Sequence, residues 1–179
     1  LRLPQPDGPV KGALAGDVDA IRARLDEGLG VGELHEWAGM PRVGWRVPLL
    51  LAAAEAGHVA LVDLLLERGA DPNQFCTRDQ FALYGVAMVA NAARNNPRMS
   101  DAYLAICSKL LDAGANIDLQ TGPEHNMNNM ETALNVAAAS GSLAVVKFLI
   151  ARGADLDLPN TVGGTPFYLA CQTGRLDCV

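Results

Sequence analysis

The chain repeats itself. Residues 50–73 (LLAAAEAGHVALVDLLLERGADPN) return as residues 134–157 (LNVAAASGSLAVVKFLIARGADLD), and the nineteen-residue interval from Leu50 to Gly69 recurs from Leu134 to Gly153. A period of this size marks one small structural unit that cannot bury its apolar face alone and must stack on its neighbours. Used as a ruler, the repeat makes Leu50, Leu83, Leu134 and Phe167 the openings of successive units, two of the three steps being 33 residues and the middle one 51. The long step places about twelve extra residues between the helices of its unit and about six in the following loop. Gly16 lies twelve residues before Gly28, the spacing that separates Gly57 from Gly69 and Gly141 from Gly153, so a degenerate unit precedes the others.

Each unit reads as two short helices. Thr132 and Thr165 are placed to cap the first helix by accepting a backbone N–H, and Pro166 sits where a helix has no donor to lose. Ala137 and Ala138 let neighbouring helices approach closely, while Val146, Leu149 and Ile150 form an apolar stripe on the second helix. Gly141 separates the two helices and Gly153 ends the second, where a residue without Cβ turns the chain at least cost.

These residues resemble the ankyrin repeat. Its Thr-Pro-Leu-His opening is matched best by Thr165-Pro166-Phe167-Tyr168, then by Thr132-Ala133-Leu134-Asn135, and poorly by Pro48-Leu49-Leu50-Leu51 and Phe81-Ala82-Leu83-Tyr84. The Ala pair recurs as Ala53-Ala54 and Ala137-Ala138, the Gly-His step as Gly57-His58, and the closing motif as Gly69-Ala70-Asp71, Gly114-Ala115-Asn116 and Gly153-Ala154-Asp155. The resemblance, over residues 10–179, implies an all-α solenoid of helix-turn-helix units with projecting hairpin loops. It divides one domain into units of residues 9–47, 48–80, 81–131, 132–164 and an incomplete 165–179. It also implies a packing and hydrogen-bonding role for His58, and an intracellular, cytoplasmic setting, or a host cytoplasm for a secreted effector.

Charge and composition narrow the function. A net charge of −6, with three lysines (Lys11, Lys109, Lys147) and scattered arginines, argues against nucleic acid as the ligand, which calls for clustered basic residues. The apolar runs fall short of the roughly 18–20 residues of a membrane span. The start at Leu1, without Met or targeting signal, and the stop at Val179, before the second helix of the last unit, predict a longer natural chain. Cys107 and Cys171 occupy core positions of the frame, Cys76 a loop and Cys178 the chain end, and no paired CxxC spacing suggests zinc. His35 and His125 lie in irregular segments. A nucleophile pair of Cys76 with either histidine lacks any feature that would hold its geometry, and Gly163-Gly164 lacks the Lys and preceding strand of a phosphate loop. No catalysis, metal or cofactor is expected.

What remains is surface. In families of this kind the hairpin loops and first helices form a concave face that binds partner proteins. The frame puts Trp45, Val47, Arg78, Gln80, Asn128, Asn129 and Glu131 on the loops and Glu55, Met88 and Gln172 on the first helices, with Trp37 in the extended segment 29–47. Aromatic, Arg and Met side chains anchor interfaces most often, which favours Trp45, Arg78 and Met88; packing of Trp45 and Val47 on the degenerate unit is the competing expectation. Residues 84–94 extend a helical pattern that Asn95-Asn96-Pro97 stops and Ser100-Asp101 restarts, so extra turns should protrude opposite the loops. The expectation is a monomeric module that binds another protein. The alternative is a targeting or regulatory segment of a larger enzyme, channel or effector.

Overall fold

The computed structural model describes residues 8–36, 45–93, 95–122 and 130–179. Helices α1 (Pro9–Ala15) and α2 (Val18–Asp26) form the degenerate unit, followed by a two-stranded antiparallel ribbon of β1 (Leu34–Glu36) and β2 (Arg46–Pro48). Three full pairs follow: α3 (Leu49–Glu55) with α4 (Val59–Glu67), α5 (Ala82–Val89) with α6 (Pro97–Asp112), and α7 (Ala133–Ser140) with α8 (Leu143–Ala151). The last unit contributes α9 (Pro166–Gln172) and a 3-10 turn, Leu176–Cys178. The first helices stack in the order α1, α3, α5, α7, α9, and α2, α4, α6 and α8 stack behind them. The result is a two-layered helical solenoid with short-range contacts, as the repeat predicts.

Local chemistry explains the joints. Thr132 accepts from Asn135 N and the Asn135 side chain returns a bond to the Thr132 backbone, a reciprocal capping box. Thr165 accepts from Tyr168 N, with Pro166 at the first helical position. Gly141 takes φ +83° at the turn between α7 and α8, where a Cβ would also stand 2.8 Å from Arg175 Cδ. His58 donates from Nε2 to Leu14 O at 2.8 Å, binding the second unit to the first, and its ring fills the space that a Cβ at Gly16 would take. Replacing Thr132 by Ala should lower stability by about 1–2 kcal/mol, read as a shift in the urea midpoint, because it leaves the Asn135 amide without its acceptor at a buried helix start.

The apolar seam runs the length of the stack. Leu50, Leu61, Leu65, Leu83, Ile106, Leu110, Leu134 and Leu149 are all at most 2 % exposed, so their burial supplies most of the driving force. Ion pairs step between successive second helices at the surface: Asp26 with Arg68 at 2.7 Å, Asp63 with Lys109 at 2.6 Å, and Asp112 with Arg152 at 2.6 Å. In each the acid belongs to the earlier unit. Being largely exposed, these pairs fix register more than they add stability.

Several expectations are corrected here. Asn96 does not end one helix for Ser100 to begin another; it caps α6 itself, accepting from Met99 N, and Pro97 is the first helical residue. Helix α5 stops at Val89 and passes into a 3-10 turn, Ala90–Ala93. The extra length of α6, 16 residues against nine in α4 and α8, includes Met99, whose sulfur would lie 3.0 Å from a Cβ at Gly57, so part of the extension covers the neighbouring turn. Cys171 is exposed, because none of the described helices packs beyond α9 at the position where α7 buries Ala138. Cys76 lies in a loop as expected and is buried there, whereas His35, expected in an irregular segment, lies on β1 opposite Val47.

Candidate protein-binding face

Three loops are each closed at the base by a backbone hydrogen bond: Cys76 N to Gln80 O at 2.8 Å, Thr121 N to Glu131 O at 3.0 Å, and Asn160 N to Gly164 O at 3.0 Å. The middle loop is the enlarged one, and its base is doubly tied by Glu131 N donating to Thr121 Oγ1 at 2.9 Å. The ribbon joins the first loop through Arg46 N to Thr77 Oγ1 at 2.9 Å and Thr77 N to Arg46 O at 3.0 Å. Asn135, wholly buried on α7, donates to Gly164 O at 3.1 Å and so holds the last loop against the first helices. The sequence frame named Asn135 only as the last residue of the second-best match to the family opening.

Arg78 lies over the Trp45 ring, its guanidinium carbon 5.0 Å from the centroid. Such stacking holds a charged side chain in a preferred orientation beside an aromatic surface. Trp45 is half-buried and packs on the core, so it belongs partly to the scaffold. Val47 is fully buried in β2, with its side chain in the core rather than on the face; alternation along the strand turns it inward. Gln80 is half-buried, its Oε1 enclosed without a hydrogen-bond partner. Glu131 accepts from Tyr84 OH at 3.2 Å, and together with burial this carboxylate pushes the Tyr84 phenol upward. Trp37, Asn128 and Asn129 lie outside the described residues, as does His125.

One position of the repeat forms a row along the first helices: Glu55, Met88, Ala139 and Gln172. Met88 is 38 % exposed and Gln172 is exposed, whereas Glu55 is partly covered. Burial alone raises the Glu55 carboxyl to about 7. Exposed apolar residues the frame did not single out include Phe75, packed edge-on against Phe81 at 5.7 Å, and Tyr168, the repeat equivalent of Tyr84. A concavity of about 470 Å³ lies between Tyr103 on α6 and Leu143 and Lys147 on α8, beside the 3-10 turn that the enlarged unit supplies.

The chemical alternatives have little support in this geometry. The Cys76 sulfur accepts from Arg78 N at 3.3 Å, while His35 Nε2 is enclosed without a hydrogen-bond partner and burial lowers its pKa. Burial pushes the Cys107 thiol up to about 12, the opposite of nucleophile activation. Among the described residues no group of three or more His, Cys, Asp or Glu is placed to hold a metal ion, and no helix is long and apolar enough to cross a membrane.

Known proteins point the same way. A family model of three ankyrin repeats matches residues 89–179, and a single-repeat model matches residues 46–76. "Ankyrin repeat and SAM domain-containing protein 6" of Danio rerio is 33% identical over 147 residues, covering 72% of this chain and 18% of the relative. "Ankyrin repeat and KH domain-containing protein 1" of Homo sapiens is 34% identical over 117 residues, 65% of this chain and 4% of the relative. "Transient receptor potential cation channel subfamily A member 1 homolog" of Caenorhabditis elegans is 26% identical over 125 residues, 70% of this chain and 9% of the relative. The chain thus spans less than a fifth of the length of these relatives. With one family model over residues 89–179, another over residues 46–76 and helix pairs stacked along both, the chain belongs to the ankyrin-repeat family.

Proposed function

We propose that the chain is a protein-protein interaction module whose partner lies along the loops and the row of first-helix positions at Glu55, Met88, Ala139 and Gln172. The observation that carries this reading is the joint presentation of Arg78 stacked on Trp45 at the first loop and the exposed Met88 on the neighbouring unit. Arg, Trp and Met are enriched at binding surfaces, and the scaffold behind them is held by the hydrogen bonds between Arg46 and Thr77. Gln172 extends the row to the last unit. The intracellular setting and monomeric state belong to the same proposal; Cys107, a thiol sealed in the core, suits a reducing compartment.

A regulatory role within a larger protein is a second reading, favoured by the relatives' lengths. Their names pair ankyrin repeats with SAM or KH domains or describe a cation channel, and an interaction surface of this kind is suited to an attached segment in such an assembly.

The test uses a double variant, Met88→Lys with Gln172→Lys. Both positions are exposed, so the thermal midpoint should stay within a few degrees of wild type, because surface changes away from buried features move stability little. A partner captured by the immobilised chain and confirmed by direct titration should bind the variant at least tenfold more weakly. Undiminished binding would move the interface elsewhere.

A further inference from the structure

Glu55 is the ionisable member of the row Glu55, Met88, Ala139 and Gln172, and its setting differs from that of an ordinary surface carboxylate. The side chain lies across α5 at Gly85. A Cβ there would stand 2.7 Å from Glu55 Oε1, 2.9 Å from its Cγ and 2.6 Å from Leu51 Cδ1, so the missing side chain at Gly85 makes the place that the carboxyl occupies. Oε1 is enclosed and has no hydrogen-bond partner, while the residue as a whole keeps part of its surface open.

No cation of the described residues answers this carboxyl. The stretch 82–89 that forms α5 carries no charged residue, and the ion pairs of the stack use Asp26, Asp63 and Asp112 instead. The Tyr103 hydroxyl donates to the Glu55 backbone carbonyl at 2.9 Å and leaves the side chain unserved. An enclosed acceptor without a donor costs stability, and the same repeat position accepts Met88 and Ala139 with no such cost. A scaffold role therefore does not account for a carboxyl at residue 55. A donor from outside would, by reaching the open part of the carboxyl and stabilising its charge, since Oε1 itself is closed to it.

We propose that Glu55 is the charge-recognition point of the binding face, receiving a Lys or Arg side chain of the partner beside an apolar residue that packs on Met88. The proposal rests on the face assigned above. Charge complementarity selects the occupant: a half-enclosed carboxyl among Leu51, Gly85 and neighbouring apolar groups on a chain of net charge −6 favours a basic partner segment over an acidic one.

A peptide library displayed on phage provides the probe, selected on the immobilised chain at about pH 8, where the carboxyl is ionised. Enriched peptides should share a Lys or Arg next to an apolar residue, and Glu55→Gln should weaken them about tenfold or more. Replacing the basic residue of the peptide by Ala should weaken binding to wild type by a similar factor and change little on the Glu55→Gln protein. Enriched peptides that bind Glu55→Gln as tightly as wild type, yet lose affinity for Met88→Lys with Gln172→Lys, would overturn the role of Glu55 and leave the face standing. Peptides indifferent to all three substitutions would overturn both.

Discussion

Replacing Phe81 by Thr should destabilise the protein by about 2–4 kcal/mol, although it restores the residue that the repeat prefers at that position. Thr132 and Thr165 cap their helices with a side-chain oxygen, and Phe81 stands at the equivalent place before α5 with no side-chain cap. It is 1 % exposed, meets Phe75 edge-on with centroids 5.7 Å apart, and lies against Tyr84 at 6.0 Å. Truncating a buried Phe costs about 3–5 kcal/mol. A regained cap returns about 1 kcal/mol, so packing wins. Urea unfolding followed by circular dichroism measures the difference. A variant as stable as wild type would mean that the loop closes over the smaller side chain and that the aromatic cluster carries little of the stability of this unit.

The second large effect concerns Glu55 and pH. Burial raises its pKa in the folded protein to about 7 from an ordinary 4.5. Below about 4.5 the carboxyl is neutral in both states and folding bears no penalty. Between about 4.5 and 7 the unfolded chain ionises while the folded one stays protonated, so the contribution of this residue to stability falls as pH rises and is lost above the folded value. A carboxyl raised this far loses on the order of 2–3 kcal/mol of folding stability across the window. Glu55→Gln removes the titration. The stability difference between variant and wild type should therefore grow in favour of the variant across this window and level off above about pH 7. Parallel pH profiles for the two proteins would show that the carboxyl is solvated in solution.

The periodic part of the fold was legible because the same physical demands recur in each unit. Thr132, Thr165, Pro166, Gly141 and His58 each do what a unit requires of them wherever it sits in the stack. Burial set by particular neighbours was not legible. Val47 is buried because a strand pairs with residues 34–36 of the degenerate unit, and the frame could not assign that pairing. Cys171 is exposed because its neighbouring position depends on a further helix, which the repeat position of Cys171 does not specify. Asn95-Asn96-Pro97 suits either a helix stop or a helix start, and only the extended backbone at Asn96, φ −125° and ψ 93°, with its side chain on Met99 N, distinguishes them.

The face was legible as a set of positions and not as a surface. The frame placed Glu55 correctly in the first-helix row, yet its partial enclosure depends on Gly85 in the next unit. It likewise named Trp45 and Arg78 separately, whereas their stacking follows from the bonds between Arg46 and Thr77 that join the ribbon to the loop.

Hydrogen–deuterium exchange of the chain, free and bound to a captured partner, tests the central claim most directly. Binding along the proposed face should slow exchange in the loops at residues 76–80 and 160–164 and at the C-terminal ends of α3, α5 and α9, leaving α4 and α8 unchanged. Protection confined to α4, α6 and α8 would contradict the account and place the partner on the opposite side of the stack.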